Sequence, residues 1–137
     1  MKYRMLTISS NPNNILEVES YLKKLDFHFS FESEKYADIL ISLTEAVNNA
    51  IIHGNKNDES KNVHIHVSEK TDGIAFCVTD EGRGYNPGRV PDPTSKENVE
   101  CCGGRGVFIM KALSDDIRFD DNGSTVEMFF HLKSQMA

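Results

Sequence analysis

Apolar residues recur along this chain in two periods, and the changes of period divide it into elements. Tyr3 to Ile8 reads as a first strand. Asn11, Pro12 and Asn13 form a helix-start cluster, after which Ile15, Val18, Tyr21, Leu22 and Leu25 return at helical spacing. A longer helix is predicted from about Glu32 to His53. Its apolar positions Leu40, Leu43, Val47, Ala50 and Ile51 lie on one stripe, and Gly54 is placed to stop it. The period then changes to two: Val63, Ile65 and Val67 alternate with His64, His66 and Ser68, as in a half-buried strand. Gly73 marks a turn into a strand from Ile74 to Val78. A helix from roughly Arg105 to Leu113 precedes a final hairpin, Ile117 to Phe119 and Thr125 to Leu132, joined across Asp121-Asn122-Gly123.

This order predicts an α+β fold, a two-layer sandwich of a mixed, mostly antiparallel sheet with helices on one face. One stretch stands apart. From Gly82 to Cys102 no period is visible, and Pro87, Pro91 and Pro93 occur among glycines and charges. Structureless segments of that length are lids, binding loops or disordered.

The chain has 137 residues and reads as a single domain over 1–137, large enough to bury a core without a metal or disulfide staple. The net charge of −6 argues against a broad surface for nucleic-acid phosphates, yet leaves room for one anionic ligand held by backbone N–H groups. Of the three cysteines, Cys101 and Cys102 are adjacent, which suits neither a disulfide framework nor a zinc site. Reduced thiols and a cytoplasmic location are expected. MKYRMLTISS at the amino terminus contains no long apolar run, so neither a signal peptide nor a membrane span is expected, and the sequon at Asn122 is read as coincidental.

Three motifs carry candidate chemistry. Glu45 and Asn49, four residues apart on the long helix, share a face away from its apolar stripe. A carboxylate and an amide oxygen on adjacent turns suit a magnesium ion and the activation of a nearby hydroxyl, since Mg²⁺ takes hard oxygen donors and few of them from protein. Taken alone, the pair also suits a solvated helix face. Asp80-Glu81-Gly82-Arg83-Gly84 follows the strand ending at Val78-Thr79. An acid at a strand end can accept a hydrogen bond from an exocyclic amine, and glycines let a flat ligand approach the backbone; a strand-ending turn would use the same residue types. Gly103-Gly104-Arg105-Gly106-Val107-Phe108 opens a helix, where unpaired N–H groups make an anion site, or else a hinge before a core helix. No G-x-x-x-x-G-K-[ST] occurs, and Gly82-Arg83-Gly84 lacks the third glycine of a dinucleotide fingerprint.

The order of these motifs, E-x-x-x-N on a helix, D-x-G-x-G, a long loop, G-x-G and then a Thr in a late strand, resembles the Bergerat-fold (GHKL) ATPases. Within that superfamily, LTEAVNNAIIHGN and GGRGVFIMKALSDD are very similar to the anti-sigma-factor serine/threonine kinases of bacterial partner switching. The likeness extends from the first strand to Thr125. It implies ATP and Mg²⁺ as cofactors, with Asn49 as the magnesium ligand and Glu45 as the base that activates the attacking hydroxyl. It implies that Asp80 reads the adenine amine, that Gly82 and Gly84 let the ring approach, and that Thr125 lies under the adenine near Asp80. Gly104, Arg105 and Gly106 would cradle the phosphates, with Val107 and Phe108 beginning the helix behind them, and residues 85–102 would form a short ATP lid. At this length the minimal module is expected, without the histidine-bearing hairpin of sensor kinases or the transducer of gyrase-type ATPases. Such a module phosphorylates a Ser or Thr on an antagonist protein, alternately binds a sigma factor, and acts as a homodimer. The alternative is a nucleotide-loaded switch that sequesters a partner without phosphotransfer.

Other polar residues are assigned less. His64 and His66 share a strand face and read as solvated, since a metal would need a third ligand. His53 continues the four-residue steps of Glu45 and Asn49, and suits either that face or the negative end of the helix dipole.

Overall fold

The computed structural model describes residues 4–82, 104–120 and 124–132. The elements run β1 (Met5–Ser9), a 3₁₀ turn (Pro12–Asn14), α1 (Ile15–Phe29), α2 (Ser33–Asn49), a π turn (Ala50–Gly54), β2 (Asn62–Lys70), β3 (Gly73–Thr79), α3 (Gly104–Leu113), β4 (Asp116–Asp120) and β5 (Thr125–His131). The strands form one sheet in the order β1-β2-β3-β5-β4. Every pairing among these described strands is antiparallel, in keeping with the mostly antiparallel sheet expected from the sequence. The expected Asp121–Gly123 turn lies outside the described residues, but β4 and β5 pair with Asp120 opposite Thr125, the register a short hairpin imposes.

The predicted alternation holds in β2 and extends to β3 and β5. Val63, Ile65 and Val67, then Ile74, Phe76 and Val78, then Val126, Met128 and Phe130 all turn to the helices. Val18, Leu22 and Leu25 of α1, Ile39, Leu43 and Val47 of α2, and Val107 and Met110 of α3 meet them in one continuous core. Phe76 and Phe130, both with no exposed surface, contact edge to face with centroids 6.0 Å apart. Asn11 accepts a bond from the Asn13 N–H at 2.9 Å and so opens the first helical segment where the sequence placed a helix start. Among the described residues no helix is long and apolar enough to cross a membrane.

The principal departure lies at the end of the long helix. The sequence predicts continuous α-helix to His53; the α-helical pattern stops at Asn49 and the chain makes one wide π turn over Ala50–Gly54, with the Asn55 N–H reaching back to the Ala50 carbonyl at 2.8 Å. The wide turn leaves the 3.6-residue period, so the line through Glu45 and Asn49 does not carry on to His53. It also delivers Gly54 and Asn55 into the interior, where both are buried.

Phe130 is fully buried in the core between sheet and helices, so Phe130→Ala is expected to lose about 3–5 kcal/mol of stability. Urea denaturation should show this as a lower midpoint at an unchanged m-value; a loss under about 1 kcal/mol would place the centre of the core elsewhere.

Candidate functional site

Where β3 ends, the Asp80 N–H bonds the Ser124 carbonyl at 2.9 Å, and its side chain enters a narrow cleft that opens to solvent. Ala46, Asn49 and Ala50 form one wall, Met110 of α3 another, and Val78, Phe119 and Val126 the sheet side. A small number of polar groups in a mostly apolar cleft is the composition of a small-molecule site.

Asp80 is only 7% exposed. Its Oδ1 accepts the Gly82 N–H at 2.8 Å, closing a tight turn around the carboxylate. Gly54 and Gly82 are where the two chain segments meet: a Cβ on Gly54 would overlap the Asp80 carboxylate, and one on Gly82 would overlap the Gly54 carbonyl. The π turn and the D-x-G turn thus pack backbone against backbone, with the acid between them. Burial pushes the Asp80 carboxyl above the usual carboxylate range, against the opposing pull of the Gly82 N–H and of Lys61.

Glu45 and Asn49 lie along α2 and face the first turn of α3. A Cβ built on Gly106 would stand 2.9 Å from Glu45 Oε2 and 3.0 Å from Asn49 Nδ2, so glycine keeps the helix start against this pair. Asn49 Nδ2 is buried and, among the described residues, has no hydrogen-bond partner; Ser42 Oγ is the other such atom. Arg105 is exposed, Val107 is buried in the core, and Phe108 is 50% exposed. Gly104 is the first residue of α3.

Thr125 does not join this cleft. Its hydroxyl lies 3.2 Å from that of Thr79, its partner in the β3–β5 register, while Ser124 and Val126 on either side line the cleft. The pleat is the reason: successive side chains leave a strand on opposite faces, so the neighbours of Thr125 take the place foreseen for it. His53 is absent from the lining, and burial followed by the nearby Lys56 lowers its pKa. His64 is held rather than simply solvated, with Nε2 2.8 Å from Glu81 Oε2 and Nδ1 3.1 Å from Thr7 Oγ1. Gly84, the lid segment 85–102, Cys101 and Cys102 lie outside the described residues. Among those described, no group of three His, Cys, Asp or Glu side chains could hold a metal.

Several residues of the site were not found from the sequence. Ala46, Ala50, Met110, Phe119, Ser124 and Val126 line the cleft, yet their sequence signal is that of core positions. Asn55 is 1% exposed and bonds three segments: Nδ2 donates to Ser10 Oγ at 2.8 Å and to the Asn62 carbonyl at 3.0 Å, and Oδ1 accepts the Glu81 N–H at 2.8 Å. A polar residue directly after a helix-stopping glycine was its only trace.

An antiparallel sheet covered on one face by helices, with a buried acid in the cleft between the layers and a glycine-bearing helix start beside it, defines an α+β ligand-binding module. A family model for the histidine kinase-like ATPase domain matches residues 8–130. The chain is 34% identical over 110 residues to an anti-sigma F factor of Bacillus licheniformis, covering 76% of this chain and 75% of that protein. It is 38% identical over 101 residues to an anti-sigma F factor of Clostridium perfringens, covering 69% and 71%. With the serine-protein kinase RsbW of Bacillus subtilis it shares 24% identity over 146 aligned positions, covering 97% and 88%. This chain belongs to the histidine kinase-like ATPase family.

The raised Asp80 pKa has a definite sign in stability. The folded state holds this proton more tightly than the unfolded chain, so the group costs stability as pH rises from about 3.9 through its raised value, and the cost persists at neutral pH. Asp80→Asn keeps an acceptor for the Gly82 N–H and removes the charge. Urea denaturation from pH 3.5 to 7 should find it more stable than wild type at pH 7, with the gap closing toward the acid end. A wild type equal to the variant at pH 7 would contradict a buried-charge cost.

Proposed function

We propose that this protein is an ATP- and magnesium-dependent serine/threonine kinase that controls a sigma factor by partner switching, phosphorylating an antagonist protein. The observation that carries this reading is the shared setting of Asp80, Asn49 and Glu45: an acid buried in a cleft with apolar walls, and a carboxylate–amide pair against a helix start. The family is one of ATPases, and the relatives' names supply the reaction and the partner class.

Each residue has work suited to its place. The Asp80 carboxylate accepts a hydrogen bond from the adenine amine, in apolar surroundings that strengthen it. Ala46, Ala50, Met110 and Val126 are small or flexible enough to admit a flat ring. The N–H groups of Arg105 and Gly106 in the first turn of α3 would receive phosphate oxygens, and the helix dipole would add to their attraction. Anion binding by backbone explains how a chain of net charge −6 can take a polyphosphate without a basic patch.

The donors present fit magnesium. Asn49 carries a buried amide whose Nδ2 has no partner among the described residues, and rotation about its last bond puts Oδ1 in the same place. With Glu45 one turn away, the pair offers hard oxygen donors. Asn49 would hold the ion, which when bound neutralises charge on the phosphates. Glu45 accepts the proton of the attacking Ser or Thr hydroxyl as its oxygen bonds to the γ-phosphorus and the bond to ADP breaks. A cytoplasmic homodimer, with no direct nucleic-acid or membrane contact, belongs to the same reading.

Titration calorimetry with ATP and ADP, with and without Mg²⁺, is the direct test. Wild type should bind, ATP more tightly with magnesium, and Asp80→Asn should lose at least tenfold in affinity, about the worth of one good hydrogen bond. Absence of binding by the wild type at millimolar nucleotide would sink the kinase reading. In a phosphotransfer assay with the antagonist protein, Glu45→Ala is expected to bind ATP but lose transfer by about 10²–10⁴-fold. Normal transfer by that variant would remove Glu45 from the base role, whereas ATP binding without transfer by the wild type would leave a nucleotide-loaded switch.

A further inference from the structure

Asp80 faces the cleft, and the next residue, Glu81, faces away from it onto β2. Glu81 Oε1 accepts the Asn62 N–H at 3.0 Å, and Oε2 lies 2.8 Å from His64 Nε2. Its own N–H is bonded to Asn55 Oδ1 at 2.8 Å. Asn55 is in turn tied by Nδ2 to Ser10 Oγ and the Asn62 carbonyl, and Ser10 Oγ donates to the Lys61 carbonyl at 2.8 Å. His64 is steadied on its other side by Thr7. The turn after β3 is therefore gripped on both its backbone and its side chain, from the side opposite the cleft. The β2–β3 ladder does not do this, since its last paired residues are His64 and Thr79. Past Thr79 the chain is joined to Ser124 by the Asp80 N–H, to β2 through Glu81 and to the π turn through Asn55.

We propose that Glu81 and Asn55 are positioning residues for adenine recognition: they form a bracket that sets the Asp80 carboxylate at the depth and angle needed to meet an exocyclic amine. This rests on the nucleotide reading of the cleft and adds to it the residues that hold the recognition group in place. A single acid reads a base by one directional hydrogen bond, and such a bond weakens steeply when its angle opens. Among the described residues the Asp80 side chain is bonded only to the Gly82 N–H, two residues on in the same turn, and its own N–H ties the backbone to Ser124 on the β5 side, so neither contact can fix the turn against β2 and the π turn. The bracket can. Glu81 has about 40% of its side chain exposed, so its removal opens no cavity in the core.

The variants are Glu81→Ala, which removes both acceptors, and Glu81→Gln, which keeps a carbonyl for the Asn62 N–H and a polar group beside His64. Calorimetric Kd values are measured for ATP and for inosine triphosphate, which replaces the amine with a carbonyl and leaves the phosphates unchanged. Wild type should prefer ATP. Glu81→Ala should lose about tenfold of that preference, the worth of one well-aligned hydrogen bond, through weaker ATP binding with inosine triphosphate little changed. Glu81→Gln should recover most of it. A purely structural role would lower the melting temperature and both affinities together, leaving the ratio intact. In the ligand-free protein, NMR amide exchange at Gly82 should be about tenfold faster in Glu81→Ala and near wild type in Glu81→Gln. A preference unchanged in Glu81→Ala overturns the proposal, whether or not exchange at Gly82 changes, and so does a Glu81→Gln variant as poor as Glu81→Ala. A wild type that binds neither nucleotide, or both equally, overturns the adenine reading itself, and is distinguishable because it needs no variant.

Discussion

A carboxylate taken out of water is costly, and much of this molecule around Asp80 is arranged to make that placement possible. The side chain follows β3 at a point where two backbones approach closely enough to shut it in, and the approach requires glycine at both Gly54 and Gly82. Gly54 reaches that point because the long helix finishes in a π turn, whose extra residue per turn brings the chain inward instead of along the helix axis. The next residue, Asn55, spends its amide on three segments at once and so fixes where the turn lies. Helix end, strand end and acid are one packing unit, and a change to any of them is transmitted to the others.

The same arrangement separates tasks that a surface site would blur. Apolar side chains of Val78, Val126, Met110 and Ala50 surround the Asp80 carboxylate in the cleft, and a hydrogen bond gains from such low-dielectric surroundings. At the α3 end, Glu45 and Asn49 are close to the start of a helix that carries glycine at its contact point, so a carboxylate and an amide lie against a helix N-terminus. Val107 anchors that helix in the core while Arg105 and Phe108 remain outside it, which lets the helix start be rigid and accessible together.

Much of the fold was legible because period and burial coincide here. In β2 the alternation of Val63, Ile65 and Val67 with His64, His66 and Ser68 marks the core face, and the structure keeps that face for all three apolar residues. The α2 stripe and the start of α1 were legible for the same reason. Glu45, Asn49 and Asp80 could be singled out because acids and amides amid apolar runs are conspicuous. Thr125 illustrates the limit. The family resemblance implied a position beside Asp80, but a strand's alternation hangs on register, and register with β3 turned Thr125 toward Thr79. The cleft's apolar lining was hidden differently: Ala46 or Met110 in a helical stripe looks the same whether a side chain or a ligand lies above it.

What the sequence determined by itself was the set of elements, the face each would bury, and the residue types able to do chemistry, since these follow from short-range periodicity and from the chemistry of single side chains. Tertiary structure alone decided that the helix would end in a π turn, that Asn55 would become a buried hub, and that Gly54 and Gly82 would meet around Asp80. Those facts depend on segments 26 residues apart in sequence coming together, Asn55 and Glu81 through one hydrogen bond and Gly54 and Asp80 through close packing. No local pattern encodes such a meeting, because the spacing between partners is set by the path of β2 and β3 and not by any period in either segment.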